Sequence, residues 1–415
     1  MKGVFVILDG VADEPCGILG NKTPLECAKT PNLDWLASKS KLGHCFPIAE
    51  GIAPQSSSGI VSLFGEDYKK ASRGILEAVG AGITLNEGDL ALRCNFATID
   101  NLKDFNLIDR RAGRTLTTKE ARILEKSINE KVKLPYKFKF ISTIGHRAVL
   151  IFRGVFSDNI SNIDPDYEDG VSVKTYDKIR LSYPYDDSSE SSLTANLVNT
   201  FVQKSFVVLE NHPINLERKK KGIYPANFIL CRDSGSKKLN FKKLDGKWCC
   251  FGYMPLEIGF GLSFNMDVKS FKYPEFKDMD SYQNLDDALS LAIKHSKKLL
   301  NTFYKNYDYF YIHFKETDLP GHDNKPLEKV KMIELLDKEF FSFLKKFIED
   351  KSLKILVTSD HTTSCRAKRH TDKPVPVLFY DSIVKKNEKN RFTEPSGNKG
   401  KQYIAKNLLK ETIYS

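Results

Sequence analysis

Apolar and polar positions follow two patterns along the chain, which together predict a parallel β-sheet covered by helices. Residues 4–10 and 352–360 are apolar runs with a carboxylate, Asp9 or Asp360, at or next to their last position, and they have the length and composition of buried strands. Residues 284–305 and 325–350 repeat their apolar positions at the spacing of amphipathic helices. Strands and helices in turn are typical of an α/β domain. The same patterns predict strands at 307–318 and 375–380, and helices from Pro31, over 58–65 and near 400–411.

The middle of the chain, from about residue 90 to residue 250, has a different pattern. Its apolar runs are short and rich in β-branched and aromatic residues, which favours strands at 138–145, 146–154, 204–210 and 226–233. We therefore predict a separate α+β unit inserted into the α/β domain. The predicted division is a first part of the core at 1–85, the inserted unit at 86–250 and a second part of the core at 251–415.

Composition narrows the class of protein without naming a function. The 415 residues are 41% hydrophobic and 28% charged, as in an ordinary globular chain. The net charge of +11 is spread along the sequence, with a short basic cluster at 218–222 and no nucleic-acid-binding motif beside it. We therefore predict no nucleic-acid partner and interpret part of the charge as suited to a small anionic substrate.

The cysteines and the apolar runs bear on the compartment. Eight cysteines are scattered without the paired spacing of a metal site, so free thiols in a cytoplasmic protein are expected. The N-terminal apolar run is interrupted by Asp9, which favours a strand over a signal peptide. Because no apolar run reaches about 18 residues, no membrane partner is predicted.

Carboxylates and imidazoles recur where the predicted strands end. The residues are Asp9, Asp318, His322, Asp360, His361 and His370. A single Asp at such a place is usually a cap or turn residue, but several at the carboxyl edge of one sheet would repel and desolvate one another without cations. Mixed Asp and His ligation suits Mn²⁺, Zn²⁺ or Co²⁺ better than Ca²⁺. Since six ligands exceed the needs of one four- or five-coordinate ion, we predict two metal ions.

The stretch from Gly51 to Gly65 contains three consecutive serines between a Pro-Gln turn and an apolar run. It has the composition of a flexible loop, but it would also place an activated nucleophile at a helix N-terminus, where the helix dipole favours negative charge. Paired metal ions stabilise the attacking and leaving oxygens of phosphoryl transfer, which gives a serine at this edge a chemical purpose. The pattern leaves both readings open.

Taken together, the motifs resemble the 2,3-bisphosphoglycerate-independent phosphoglycerate mutases of the archaeal type, within the alkaline phosphatase superfamily. The resemblance runs nearly end to end through ILDGVADEP, NKTPLECAKTPNLD, GIAPQSSSGIVSLFGEDY, SRGILEAVGAGI, RCNFATI, IDRRAGR, GHRAVLIFRG, SDNISNIDP, HFKETDLPGHD, TSDHTTSC and KRHTDKPVPVLFY. It implies a three-layer αβα core of the alkaline phosphatase type with an inserted α+β substrate or lid domain. It also implies a glycolytic isomerase that interconverts 3-phosphoglycerate and 2-phosphoglycerate through a phosphoserine at a two-metal site.

The same resemblance assigns roles to individual residues. Ser56 is implied as the nucleophile, with Ser57 as the alternative because it stands where the family usually has Asp. One divalent ion, Mn²⁺ first and Mg²⁺, Co²⁺ or Zn²⁺ otherwise, is implied to take Asp318, His322 and His370. The other is implied to take Asp9, Asp360, His361 and the Ser56 oxygen. Lys315 matches a family lysine near the transferred phosphate.

The middle unit supplies the residues expected to hold the substrate. Arginine binds carboxylate and phosphate through a planar fork, so the candidates are Arg93, Asp109, Arg110, Arg111, Arg114, His146 and Arg147, with Arg232 ranked below them. The alternative function is a metal-dependent phosphatase, or a mutase for another small phosphate ester. No oligomeric state is predicted.

Overall fold

The computed structural model describes residues 1–168, 171–172, 178–274, 281–349, 351–384 and 388–415. Its strands are β1 (Lys2–Leu8), β2 (Lys41–Phe46), β3 (Leu90–Ile99), β4 (Leu107–Asp109), β5 (Phe138–Ser142), β6 (Arg147–Phe152), β7 (Tyr167–Glu168), β8 (Val171–Ser172), β9 (Phe228–Gly235), β10 (Trp248–Phe251), β11 (Asp267–Lys269), β12 (Tyr309–Phe314), β13 (Leu353–Thr358), β14 (Thr362–Ser364), β15 (Arg369–Thr371), β16 (Val375–Asp381) and β17 (Lys401–Ile404). Its α-helices are α1 (Pro24–Cys27), α2 (Pro31–Ser38), α3 (Ser56–Leu63), α4 (Arg73–Gly80), α5 (Thr118–Lys131), α6 (Ser189–Glu210), α7 (Pro213–Lys220), α8 (Pro255–Ser263), α9 (Ser281–Phe303), α10 (Asp318–His322), α11 (Pro326–Leu335), α12 (Ser342–Phe347), α13 (Glu394–Asn398) and α14 (Leu408–Glu411).

The larger sheet contains strands from both ends of the chain, in the order β11-β10-β12-β1-β13-β16-β2-β17. Its central strand β1 runs parallel to β12 and β13, as predicted. Alternate residues of β1 enter different apolar clusters: Val4 and Val6 join one, and Phe5 and Ile7 join the other. Helices therefore cover both faces, and the predicted three-layer α/β core is confirmed.

The inserted segment builds a second sheet around β3, which pairs with β4, β6 and β9. Every residue of β3 is buried, because helices and neighbouring strands cover it on all sides. Leu124 of α5 and Phe201 of α6 pack in the same apolar cluster as Phe96. The chain enters this α+β unit after β2 of the core sheet and rejoins the core sheet at β10.

Three sequence predictions were wrong in detail. Residues 204–210 lie in α6 rather than in a strand, because burial of one helix face outweighs the strand preference of their side chains. Residues 401–404 form β17, parallel to β2, before a short final helix. The sheet is also mixed, since β16 runs antiparallel to both β13 and β2.

The long helix predicted over 325–350 begins at Pro326 and contains a π-helical turn at 336–341 before it ends at Phe347. Residue 350 lies outside the described residues. Among the described helices, none combines the length and the apolar composition that crossing a membrane requires.

Candidate active site

The predicted Asp and His residues converge at the carboxyl edge of the core sheet. Asp9 follows β1, Asp360 and His361 follow β13, and Asp318 begins α10 just after β12. His322 lies one turn later on α10, and His370 lies on β15, which pairs with β14. Parallel neighbouring strands bring their carboxyl ends together, and this accounts for the meeting of residues that are far apart in sequence.

Asp9, Asp360 and His361 form a first group, fully buried. The Nε2 atom of His361 lies 3.2 Å from Asp9 Oδ1 and 3.4 Å from Asp360 Oδ2. The same nitrogen lies 3.1 Å from Ser56 Oγ. This arrangement places the predicted nucleophile beside the carboxylates that follow β1 and β13.

Asp318, His322 and His370 form a second group next to the first. His322 Nε2 lies 3.5 Å from Asp318 Oδ2, and His370 Nε2 lies 3.6 Å from Asp318 Oδ1. The rings of His361 and His370 stack with centroids 3.6 Å apart, so the two groups are contiguous. The Nδ1 atoms of His322 and His370 face the carbonyls of Lys368 and Pro54, which fixes both rings.

The donor set fits divalent metal ions. Asp9 Oδ1, Asp360 Oδ2 and His370 Nε2 are buried and have no hydrogen-bond partner among the described residues. Burial, followed by the neighbouring His361, lowers the pKa of His370 to about 4. The imidazole is therefore neutral, as a metal ligand must be. Buried and unpaired oxygens and nitrogens of this kind are costly unless a cation satisfies them.

The three serines form the first turn of α3, which begins at Ser56, and they are joined to β2 by residues 47–55. Ser58 closes the first turn, since its hydroxyl accepts the backbone N–H of Gln55 at 3.0 Å. Gly59 allows the helix to approach the sheet, because a Cβ there would lie 2.2 Å from the Asp360 carbonyl oxygen. Among the three serines, Ser56 lines the adjoining cavity, whereas the Ser57 hydroxyl is buried without a hydrogen-bond partner in the described structure.

Lys315 extends from the end of β12 into the same region. Its ammonium contacts Asp9 and lies 3.0 Å from Glu257 Oε1. His313 lies on the same strand with Nε2 3.2 Å from Asp9 Oδ2, and its Nδ1 is 2.8 Å from the Tyr311 hydroxyl. Burial raises the pKa of Glu257 to about 7. A network of buried charges therefore surrounds Asp9.

A basic cavity opens from the Asp and His groups toward the inserted unit. Sequence-predicted residues that line it are Ser56, Arg93, Arg110, Arg111, Arg114, His146, Arg147, Lys315, Asp318, His322 and His370. Arg73 and Arg232 also line it. Asp109 does not belong to this lining: its Oδ1 accepts the backbone N–H groups of Arg111 and Gly113, each at 2.7 Å. The structure therefore places Asp109 in a turn that shapes the neighbouring arginines.

Carboxylates behind the cavity wall hold several of these arginines. Glu77 accepts from Arg73 Nε and from Arg93 Nη1, both at 2.7 Å. Asp164 pairs with Arg110 through two hydrogen bonds of 3.0 and 2.8 Å. The Arg232 guanidinium lies 3.8 Å from the centre of the Tyr167 ring. Guanidinium groups fixed in this way are prepared to bind anionic groups without further ordering.

Proteins similar in sequence match this chain over most of its length. A family model for "2,3-bisphosphoglycerate-independent phosphoglycerate mutase" matches residues 37–215. The protein of that name from Thermococcus kodakarensis is 37% identical over 396 residues, which cover 95% of this chain and 91% of the relative. The chain belongs to this family. A relative of the same name from Methanopyrus kandleri is 32% identical, over 96% of this chain and 92% of its own.

Two solved structures superpose on this chain over its full length. A Pyrococcus horikoshii protein superposes with a TM-score of 0.74 at 27% identity, covering 100% of this chain and 96% of its own. A cofactor-independent phosphoglycerate mutase from Thermoplasma acidophilum gives 0.53 at 28% identity, covering 100% and 99%. The resemblance read from the motifs and the isomerase class that it implies are confirmed.

In this mutase fold, several charged residues lie beside the site that the sequence did not predict or gave a low rank. Arg73 stood inside the SRGILEAVGAGI motif, yet its position gave no sign that α4 reaches the cavity. Arg232 lines the cavity although it was ranked below the other arginines. The signal that could have revealed Glu257 is a single charge inside the apolar run 251–264.

Proposed function

We propose that this chain interconverts 3-phosphoglycerate and 2-phosphoglycerate without 2,3-bisphosphoglycerate, through a phosphoserine at Ser56. The observation that carries the proposal is the position of the Ser56 hydroxyl, which lies 3.1 Å from His361 and also lines the arginine-rich cavity. Carboxylates and imidazoles suited to metal ions lie on one side of the Ser56 hydroxyl. The cavity on its other side is lined by cationic groups suited to a small molecule with both phosphate and carboxylate.

The proposed metal ligands are two groups of residues. Asp318, His322 and His370 would hold one divalent ion, and Asp9, Asp360, His361 and the Ser56 oxygen would hold the other. Mn²⁺ is proposed first, because its preference for mixed oxygen and nitrogen donors matches these residues. When bound, two such ions stabilise the charge on the attacking and leaving oxygens of phosphoryl transfer.

Ser56 and the cationic side chains then carry the chemistry. A bond forms between Ser56 Oγ and phosphorus while the bond from phosphorus to the glycerate oxygen breaks, and the proton lost by the Ser56 hydroxyl is balanced by one taken up at the released glycerate oxygen. The Lys315 ammonium faces the cavity and would neutralise charge on the transferred group. Glycerate stays bound and turns, and its other hydroxyl takes the phosphoryl group back from Ser56.

The arginines keep the glycerate in place between the two transfers. Arg93, Arg110 and Arg114 are already paired with carboxylates, so they offer fixed donors to the substrate carboxylate. The inserted unit supplies part of the cavity lining, including Arg93, Arg110 and His146, and cover of this kind would limit hydrolysis of the phosphoserine by water.

A coupled assay tests this function. The native chain is given 3-phosphoglycerate with and without Mn²⁺, in the absence of 2,3-bisphosphoglycerate, and inorganic phosphate is followed in parallel. We expect metal-dependent formation of 2-phosphoglycerate with little phosphate release. Phosphate release without 2-phosphoglycerate would instead establish a phosphatase.

The compartment proposed for this activity is the cytoplasm. The eight cysteines are free thiols in the structure, which suits a reducing environment. The proposed partner is the small phosphoglycerate substrate.

A further inference from the structure

Glu257 lies behind the cavity wall, and the proposed reaction gives it no part. It sits in the first turn of α8 with 1% of its surface exposed. Its Oε1 lies 3.0 Å from Lys315 Nζ. Among the described residues, neither of its carboxylate oxygens accepts a hydrogen bond of normal geometry. The energetic cost of burying this carboxylate is therefore offset mainly by the cation beside it.

Lys315 stands between two carboxylates and the cavity. Its ammonium contacts Asp9 as well as Glu257, and its side chain is 16% exposed. Asp9 is shared among several groups, since its oxygens also lie 3.2 Å from His313 Nε2 and 3.2 Å from His361 Nε2. Asp9 is moreover a proposed metal ligand. Of these two carboxylates in contact with Lys315, Glu257 is therefore the one that is not a proposed metal ligand.

Close packing fixes Glu257 relative to the cavity. A Cβ at Gly259 would lie 1.7 Å from the Leu76 carbonyl oxygen, and one at Gly80 would lie 1.7 Å from the Pro255 carbonyl oxygen. The backbones of α4 and α8 therefore touch where they cross. This contact fixes the helix backbone that carries Glu257.

We propose that Glu257 is a positioning residue, which shares the Lys315 ammonium with Asp9 and so keeps it at the cavity, beside the transferred phosphoryl group, rather than paired with Asp9 alone. This inference rests on the proposed function for the place of that group. Two consequences follow from removing the Glu257 charge. The ammonium then pairs with Asp9 alone, where it competes more strongly with a metal ion, and it moves away from the transferred group that it would stabilise.

A further cation site is the competing interpretation. Donor atoms of Asp9, Glu257 and His313 lie within 4.8 Å of one another, a spacing that could hold an ion. The Lys315 ammonium already contacts both Asp9 and Glu257. The structure therefore favours the lysine as the cation of this group, and metal stoichiometry separates the two interpretations.

The first experiment measures Mn²⁺ binding calorimetrically to chelator-stripped protein. We expect Glu257→Gln to raise the apparent Kd for Mn²⁺ about tenfold, and Lys315→Met added to Glu257→Gln to return it to the native value. Two ions per chain support the proposal. A third ion that disappears in Glu257→Gln would overturn it, and so would an unchanged Kd.

The second experiment is a double-mutant cycle on kcat with 3-phosphoglycerate at saturating Mn²⁺. We expect Glu257→Gln to lower kcat about tenfold or more with little change in KM, and to have no further effect in a Lys315→Met background. Additive losses in the double variant would overturn the positioning role. Glu66→Gln is the matched control, because Glu66 is also a buried carboxylate, 2% exposed and 3.0 Å from Lys70, but lies outside the site.

The two proposals can fail separately. A native chain that makes 2-phosphoglycerate while Glu257→Gln behaves like Glu66→Gln would retain the function and overturn the positioning role. A native chain without mutase activity would defeat the function, and the Mn²⁺ titrations would still decide whether Glu257 weakens the pairing of Lys315 with Asp9.

Discussion

At the scale of single residues, the site depends on which atom of a short segment reaches the cavity. Ser56, Ser57 and Ser58 are adjacent, yet the first turn of α3 points them in different directions. The Ser56 hydroxyl meets His361, the Ser58 hydroxyl accepts from the Gln55 backbone, and the Ser57 hydroxyl is buried. The sequence narrowed the nucleophile to this stretch, but the direction of each side chain requires the helix start.

Ser57→Ala tests this division between neighbouring serines. The Ser57 hydroxyl has no hydrogen-bond partner in the described structure, so its removal deletes an unsatisfied buried polar group. We expect the free energy of unfolding to rise by up to about 1 kcal/mol and kcat to change by less than about threefold. Urea unfolding and the coupled assay measure the two effects. A loss of kcat comparable with that of Ser56→Ala would assign Ser57 to the chemistry.

The residues at strand ends were predictable because parallel strands share a carboxyl edge, so Asp9, Asp318 and Asp360 had to meet. Asp109 shows the limit of this reasoning. It lies in an arginine-rich motif, but its carboxylate closes a local turn. A sequence motif alone does not show which of its residues line the cavity and which stabilise a turn.

At the scale of elements, α3 is held against the end of β13 by a contact that tolerates no side chain. Gly59 faces the Asp360 carbonyl oxygen, and this approach brings Ser56 to His361. The apolar run 58–65 predicted the helix correctly. Its distance from the sheet depended on a glycine whose partner lies about 300 residues away in sequence, which no local pattern reveals.

Gly59→Ala tests this contact. The added Cβ would lie 2.2 Å from Asp360 O, so the helix must shift outward. We expect the free energy of unfolding to fall by about 1–3 kcal/mol and kcat to fall at least about tenfold, since Ser56 moves with the helix. The matched control is Gly17→Ala, because among the described residues, its chain neighbours aside, no heavy atom lies within 4 Å of a Cβ there. Equal effects of the two substitutions would contradict the account.

At the scale of the whole molecule, the fold joins distant parts of the chain into one core sheet beside an inserted unit. Alternating strands and helices predicted the α/β class, and the change of pattern near residue 90 predicted the insertion. The antiparallel β16 and the helix at 204–210 were not predictable, because strand direction and helix burial are set by tertiary packing. Glu394 is one of the groups that ties the chain together, since it accepts from the Asp13 backbone at 2.9 Å and from the Thr23 hydroxyl at 2.7 Å.

Glu394 should make stability depend on pH. Burial raises its pKa from 4.5 to about 7. Below pH 4.5 the Glu394 carboxyl is protonated in both the folded and the unfolded chain. Between pH 4.5 and 7 the unfolded chain releases this proton while the folded chain keeps it. The free energy of unfolding therefore falls as the pH rises through this range. Relative to the native chain, Glu394→Gln should gain about 3 kcal/mol between pH 4.5 and 8. Urea unfolding across this range measures the difference, and a constant difference would contradict the assignment.

In the proposed reaction the phosphoryl group passes through Ser56. The most direct measurement is mass spectrometry of peptides from enzyme quenched in acid during steady turnover of 3-phosphoglycerate with Mn²⁺. We expect phosphate on Ser56 in the native chain and in Ser57→Ala, and none on this segment in Ser56→Ala, which should also be inactive. Continued turnover by Ser56→Ala, or phosphate on Ser57 in the native chain, would contradict the account.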